Sequence, residues 1–433
     1  YWEEKGVKHD KPVPFFGNNL KLYFMRRSLT QLMGEIYSKY PSEKVVGFYR
    51  ASRPELIIRD PEIAKKIITS DFAHFHSREI SQQKHIKEPL LKNLVLLEGD
   101  SWRLLRQRLT PAFSTGKLKA MFPLIVERVE RLQERLESVA EAGTVIDARD
   151  MMARYTTDFI GACGFGLDSD SLQDENSVLR KLGVNILNVG YKEMVVLALK
   201  DLFPYLFKYL KTTARIEKDI LGLVDAVQKQ RNYQPSGRND FIDLLLECKK
   251  QGTMIGESME RKKSDGSPEI ATLEMDDGLL AAQAFVFFTA GFETSSSASS
   301  YTLHELAYNT DVQDKVQDEI DKVLLKYNNK ISYDAIKEMT YLEWTLKEAM
   351  RIFPSLGLLK RQCTRKYTFQ EIGLTIDKGV GITIPLQAYQ NDPEYFEDPT
   401  EFRPERFDSS LFDSKNKLAY LPFGGGPRAC IGK

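Results

Sequence analysis

Apolar residues along this chain recur mostly at intervals of three and four, the spacing of one face of an α-helix. Leu29, Leu32, Ile36 and Tyr40 predict a helix over 29–40. Leu118, Met121, Phe122, Ile125, Val129, Leu132 and Leu136 predict a long amphipathic helix whose Glu- and Arg-rich side faces solvent. Further helices are expected over 150–165, with Cys163 in the core, over 311–327 and over 332–339. Thr340 is placed to cap another that runs through Leu342, Leu346, Met350 and Phe353 and stops at Pro354. Residues 273–309 are apolar nearly all round, which predicts one long helix in the middle of the protein.

Strand signals are shorter. Residues 45–49 and 56–58 flank Ser52-Arg53-Pro54 as a hairpin, and Pro61 suits the first position of a helix. Short strands are expected at 367–369, 374–376 and 381–385. Residues 251–272, polar and rich in Gly, Ser and Lys, predict an exposed loop, and 391–420 an ordered meander. The stretch 71–98 is irregular. His74 and His76 sit there between Phe72 and Phe75, with too few neighbouring ligands for a metal site. A loop or pocket edge fits them better. From 189 to 210 the chain is apolar and aromatic, punctuated by Lys192, Lys200 and Lys208. A buried helix pair and a pocket roof touching a bilayer both fit that pattern. The sum is a mainly α fold with small β-sheets (α+β), with β-rich parts at about 41–70 and 355–390.

Composition narrows the class. The chain has 433 residues and 42% hydrophobic content, enough for a large core. Lys plus Arg and Asp plus Glu balance at 61 each, which argues against nucleic acid as a partner. Cys163, Cys248, Cys363 and Cys430 are scattered, against a disulfide framework or zinc site and in keeping with a reducing compartment. No apolar run is long enough for a membrane span, and no signal peptide is visible. No Gly-x-Gly-x-x-Gly follows a predicted strand, so any electrons come from outside the chain.

Residues 422–433, Pro-Phe-Gly-Gly-Gly-Pro-Arg-Ala-Cys-Ile-Gly-Lys, set one cysteine among four glycines. A phosphate loop is excluded, because Pro427 stands where its first glycine belongs. Glycines let backbone approach a flat partner and turn N–H groups toward a sulfur, which favours thiolate, a soft ligand suited to haem iron. Phe423 could shield that sulfur and Arg428 could pair with a haem carboxylate. A buried structural cysteine is the plainer alternative. Trp102 and Arg106, four apart on a helix capped by Gly99-Asp100-Ser101, can grip one carboxylate together, although a surface arginine beside a buried tryptophan is the plainer reading of the pair alone. Within the long apolar helix, Gly291 leaves room for a small ligand such as O2. Thr294 can bond the carbonyl four residues back, and Glu293 is an ionisable group able to pass protons. The plainer reading there is a packing glycine beside a capped polar pair. Glu348 and Arg351, three apart, face the same way.

Phe-x-x-Gly-x-Arg-x-Cys-x-Gly at 423–432 resembles the signature of the cytochrome P450 family of haem-thiolate monooxygenases. Ala290-Gly291-Phe292-Glu293-Thr294-Ser295, Glu348-Ala349-Met350-Arg351, Phe402-Arg403-Pro404-Glu405-Arg406-Phe407 and Trp102-Arg103-Leu104-Leu105-Arg106 match the same family in order. The wording looks like the microsomal, detoxification-type branch, closest to insect members.

The resemblance implies one catalytic domain around haem b, with Cys430 as the iron ligand. Trp102, Arg106 and Arg361 would contact haem propionates, and Glu348, Arg351 and Arg406 would form a structural trio. It implies lost ends, with an anchor helix missing before the proline-rich start and a helix missing after Lys433. It implies histidine near Gln390, which this chain lacks. It also implies an NADPH-dependent reductase, with cytochrome b5 as a second donor, O2, a small apolar substrate, and the cytosolic face of the endoplasmic reticulum membrane. A reductase-independent isomerase or dehydratase and a non-catalytic haem binder are the rival readings.

Overall fold

The computed structural model describes residues 1–433 apart from 79–87, Glu175, Val189 and Asn239, so part of the polar stretch after His76 lies outside the described residues. The described strands, in chain order, are β1 (Val45–Arg50), β2 (Arg53–Ile58), β3 (Met254–Lys262), β4 (Pro268–Leu273), β5 (Leu359–Gln362), β6 (Tyr367–Phe369), β7 (Leu374–Ile376) and β8 (Gly381–Ile384). The chain forms two units. One comprises Tyr1–His85, Val195–Leu210 and Lys347–Lys433, the other Ile86–Met194 and Lys211–Leu346.

The first unit is built on a four-stranded sheet in the order β1-β2-β8-β5, with β2 parallel to β8 and the other neighbours antiparallel. Strands from both β-rich stretches of the sequence therefore share one sheet, while β6 and β7 pair with each other in a second one. The β1–β2 turn is tighter than expected. Ala51 takes φ 53° in a two-residue loop, so Arg53 and Pro54 already pair with Arg50 and Tyr49. The helix Leu29–Lys39 starts on a reciprocal capping box between Ser28 and Gln31. It buries Leu32, Met33 and Ile36 against Val46, Phe48 and Ile57. The helix Pro61–Ile68 is capped by the Asp60 carboxylate, which accepts from Glu62 N and Ile63 N at 2.8 and 3.2 Å. Its Ile63, Ile67 and Ile68 enter a core with Phe75, Phe369, Ile382 and Tyr389. Fully burying each such side chain contributes about 1.5–3 kcal/mol.

The second unit centres on the helix Asp277–Tyr308, whose first turn is capped by Asp276 accepting from Leu279 N at 2.6 Å. It begins four residues later than predicted because Leu273 is taken by β4. Gln283, the polar residue in its apolar run, is buried. It donates to the Lys92 carbonyl at 2.9 Å and accepts from Leu94 N at 2.8 Å. The helix Ala148–Ile160 packs along it and ends in a π-turn, Gly161–Phe165, with Cys163 buried as expected. Arg231 donates to Asp243 at 2.6 Å, to Asp240 at 2.7 Å and to the Phe165 carbonyl at 2.8 Å, which ties three segments together.

Three expectations fail here. Residues 251–272 are not an open loop, since β3 and β4 form an antiparallel hairpin. Met254, Ser258 and Ala271 are buried while Ile255, Glu257 and Ile270 point outward. The helix Thr340–Ile352 starts where predicted, but its first N–H groups are met by Glu319, which accepts from Tyr341 N and Leu342 N at 2.8 and 2.9 Å. The aromatic stretch near 200 is not a buried helix pair. Tyr191, Leu197, Tyr205, Leu206 and Tyr209 are all exposed. Asp201, in the first unit, fixes part of that stretch by accepting from Tyr23 Oη at 2.6 Å, Arg50 Nε at 3.1 Å and Arg53. Among the described residues, no single helix is long and apolar enough to cross a membrane.

Candidate active site

The cysteine loop owes its shape to glycine. Gly424 and Gly426 take φ 68° and 66°, the left-handed region. A side chain at Gly426 would overlap the Ile68 carbonyl, so backbone and backbone meet there with nothing between. The Cys430 N–H closes the loop by donating to the Phe423 carbonyl at 2.9 Å. Cys430 is exposed, whereas the other three cysteines are buried. The plainer reading, a buried structural cysteine, therefore fails at this position. Phe423 is partly exposed beside it, 42% by area. Arg428 is buried, and its Nε donates to the His76 carbonyl at 3.0 Å. Its own carbonyl accepts from Arg78 at 2.7 Å.

A buried ionic knot holds the chain that leads into this loop. Glu348 and Arg351 are both fully buried and joined by two parallel bonds of 2.7 and 2.9 Å. Glu348 also accepts from Arg403 N at 3.0 Å and Arg406 Nε at 3.2 Å. Arg351 reaches on to the carbonyls of Gln390 at 2.7 Å and Pro399 at 2.8 Å. Burial, opposed by the Glu348 charge, lowers the pKa of Arg406. Gln390 donates to the carbonyls of Met350 and Arg351 at 3.1 and 2.8 Å, so the residue that departs from the family pattern still ties this helix end.

Arg361 is buried on β5, with Nη1 donating to the Lys360 carbonyl at 2.8 Å. It lines a cleft in the first unit with Arg50, Arg53, Arg78 and Lys360, which face the carboxylates Glu55 and Asp201. Glu55 pairs with Lys360 and Thr383 across the sheet. Burial lowers the pKa of Lys360 despite that partner. Five cations against two carboxylates leave a positive surplus at low exposure, which suits a ligand bearing carboxylates. Arg78 links this cleft to the cysteine loop through the Arg428 carbonyl.

The remaining predicted residues lie in the second unit. Trp102 is buried and Arg106 half-buried on the helix Gly99–Leu109, one turn apart. The helix starts three residues earlier than predicted, and Asp100 does not cap it. Instead, Asp100 accepts from Ser258 Oγ and Met259 N of the hairpin, each at 2.6 Å. Thr294 donates to the Ala290 carbonyl at 2.6 Å, the back-bond its spacing predicts. Glu293 is joined by Arg149 at 3.3 Å, a partner that sequence spacing gave no means to find. Gly291 is a correction. The space its side chain would take is held by Ile160 of the neighbouring helix, so close packing explains this glycine rather than room for a small ligand.

A family profile for cytochrome P450 matches residues 8–433. The chain belongs to that family of monooxygenases, and the family implies a haem cofactor. Among its relatives, cytochrome P450 6B7 of Helicoverpa armigera is 35% identical over 435 residues, covering 100% of this chain and 84% of that protein. Cytochrome P450 6B1 of Papilio polyxenes is 34% identical over 435 residues, with 100% and 84% covered. Cytochrome P450 6a2 of Drosophila melanogaster is 35% identical over 446 residues, with 100% and 85% covered. The first unit suits a haem. It offers an exposed sulfur on a glycine-locked loop, together with a cation-rich cleft for carboxylates.

Proposed function

We propose that this enzyme binds haem b through the Cys430 thiolate and inserts one atom of O2 into a small apolar substrate, a xenobiotic or a lipid-like compound. The second oxygen atom leaves as water. NADPH–cytochrome P450 reductase is the electron donor in this reading, with cytochrome b5 as a second donor. The observation that carries it is the exposed Cys430 thiol at the end of a loop that only glycine can form, in a chain matched to the family over residues 8–433. Thiolate-ligated haem, when bound, supplies the electron push that favours O–O cleavage.

The chain's own residues do the rest. Phe423 shields the sulfur from water. Arg361 and Arg428 neutralise carboxylates on the first unit. Trp102 and Arg106 are assigned the same role, supported by the family match and by their shared helical face. Glu293 carries protons inward and the Thr294 hydroxyl hands them on. The Arg149 guanidinium, 3.3 Å from the Glu293 carboxylate, holds that side chain in place. Glu348, Arg351 and Arg406 do no chemistry and fix the path of the chain to Cys430. The two units are read as parts of one catalytic domain. The exposed Phe203, Tyr205, Leu206 and Tyr209, together with Phe15, Phe24 and Met25, support seating on the cytosolic face of the endoplasmic reticulum membrane.

The test is a reconstitution of the haem-loaded protein with reductase and NADPH under isotopically labelled O2, screened over apolar compounds that shift the haem spin state. One labelled oxygen atom per product molecule is expected. Product formed without reductase, or carrying no label, would overturn the reading.

A further inference from the structure

The hairpin β3–β4 packs directly on the helix that carries Trp102 and Arg106. Asp100, in the first turn of that helix, takes one bond from the Ser258 hydroxyl and one from the Met259 backbone, each at 2.6 Å. Arg261 of the same strand stands 3.8 Å from the Asp100 carboxylate. One turn along, Arg103 donates to the Glu257 carbonyl at 3.2 Å. Arg108, at the far end of the helix, donates to Gln251 just before the hairpin, at 2.5 Å. The surfaces meet without spare room. A side chain at Gly256 would strike Leu104, and one at Gly99, which has φ 53°, would strike Glu260. Ser258 is buried and Asp100 is largely so, which makes their bond a strong, charge-assisted one.

We propose that the hairpin Met254–Leu273 is a positioning clamp for the helix Gly99–Leu109, and that Asp100 and Ser258 are the positioning residues that set the stance of Trp102 and Arg106. The two bonds to Asp100 fix the start of the helix, and the contacts from Arg103 and Arg108 fix its rotation. Asp100 and Leu104, which meet the hairpin, lie on the far side of the helix from Trp102 and at least a third of a turn from Arg106. This inference rests on the reading of Trp102 and Arg106 as contacts to the haem carboxylates.

The test compares Asp100→Ala, Ser258→Ala, Asp100→Asn and the turn variant Ser264→Ala with the unaltered full chain. Hydrogen exchange over 99–109 is read in the haem-free protein, and haem loss to apomyoglobin and the haem midpoint potential in the loaded one. Losing a buried bond to a charged group should speed exchange in this helix about tenfold in Asp100→Ala, with a smaller effect in Ser258→Ala. Haem loss should accelerate with it. The midpoint potential should fall, because a loosely held Arg106 compensates less carboxylate charge in the reduced form. Asp100→Asn should restore part of each effect, since its amide oxygen still accepts from Met259 N, whereas Ser258 Oγ already accepts from Glu260 N and Arg261 N. Ser264→Ala, in the exposed turn, should match the unaltered chain. Unchanged exchange in Asp100→Ala overturns the clamp. Faster exchange with unchanged haem loss and potential overturns the link to Trp102 and Arg106. A full chain that takes up no haem at all refutes the haem reading and leaves the exchange arm to decide the clamp.

Discussion

Arg351 lies one helical turn beyond Glu348 and grips its carboxylate with two nitrogens, at 2.7 and 2.9 Å, and neither side chain reaches solvent. An exposed pair at this spacing would contribute a few tenths of a kcal/mol. Here, removing either partner strands a buried charge, at a cost of about 3–5 kcal/mol. Glu348→Gln and Arg351→Met should both unfold well below the parent temperature and lose the haem-binding form. Thermal unfolding followed by circular dichroism measures this. A drop of only a degree or two would mean that the knot carries little of the fold.

Gly291 sits against Ile160, and two opposing terms act on Gly291→Ala. Helix propensity favours alanine by about 1 kcal/mol. Overpacking a tight core costs about 1–3 kcal/mol. The net should be destabilising, and less so once Ile160→Val has removed the methyl group that collides. A double-mutant cycle in urea checks this, with a favourable coupling expected. Additive effects would contradict the packing assignment and reopen the idea of a ligand space at Gly291.

Acid should weaken the Arg231 lock in a definite direction. Burial alone would raise the Asp243 pKa, but two hydrogen bonds from Ser236 and the Arg231 charge outweigh it, so the folded value lies below the usual carboxylate value. A group depressed on folding contributes its full stability above its unfolded pKa, about 3.9, and loses it as pH falls through the folded value. Asp243→Asn should therefore lower stability at neutral pH and flatten its fall below about pH 4. Denaturant midpoints from pH 7 downward measure both effects. Parallel curves for the two proteins would rule out this contribution.

Thiol chemistry should separate the cysteines. Burial pushes Cys163 up to about 12 and Cys248 and Cys363 up to about 11, so all three are protonated and covered near neutral pH. Cys430 is exposed. Iodoacetamide should modify the haem-free native protein at Cys430 first, and haem should protect that site. Peptide mapping of alkylated protein gives the order. Modification of Cys248 at the same rate would contradict the burial pattern.

The helix Leu29–Lys39 was legible because burial of one face imposes a 3.6-residue period, and Asp277–Tyr308 because it is long and apolar nearly all round. The β3–β4 hairpin was not legible. Its alternation from Met254 inward to Ile255 outward was present, but glycine, serine and lysine gave the stretch the composition of a loop. What distant segments supply was also hidden. Glu319 caps the helix at Thr340, Asp100 turns to Ser258, and Ile160 fills the space beside Gly291. Within the candidate site, Glu348, Arg351 and Cys430 were legible as a motif, while the partners of Arg428 and Arg361 come only from the folded chain.

The sulfur of Cys430 as the iron ligand is the claim on which the functional reading stands. The most direct measurement is the optical spectrum of the reduced, carbon monoxide-treated holoprotein beside that of Cys430→Ser. The account predicts the strongly red-shifted Soret band of thiolate ligation in the parent and its complete loss in the variant, with the fold retained. The same band in both proteins would contradict it.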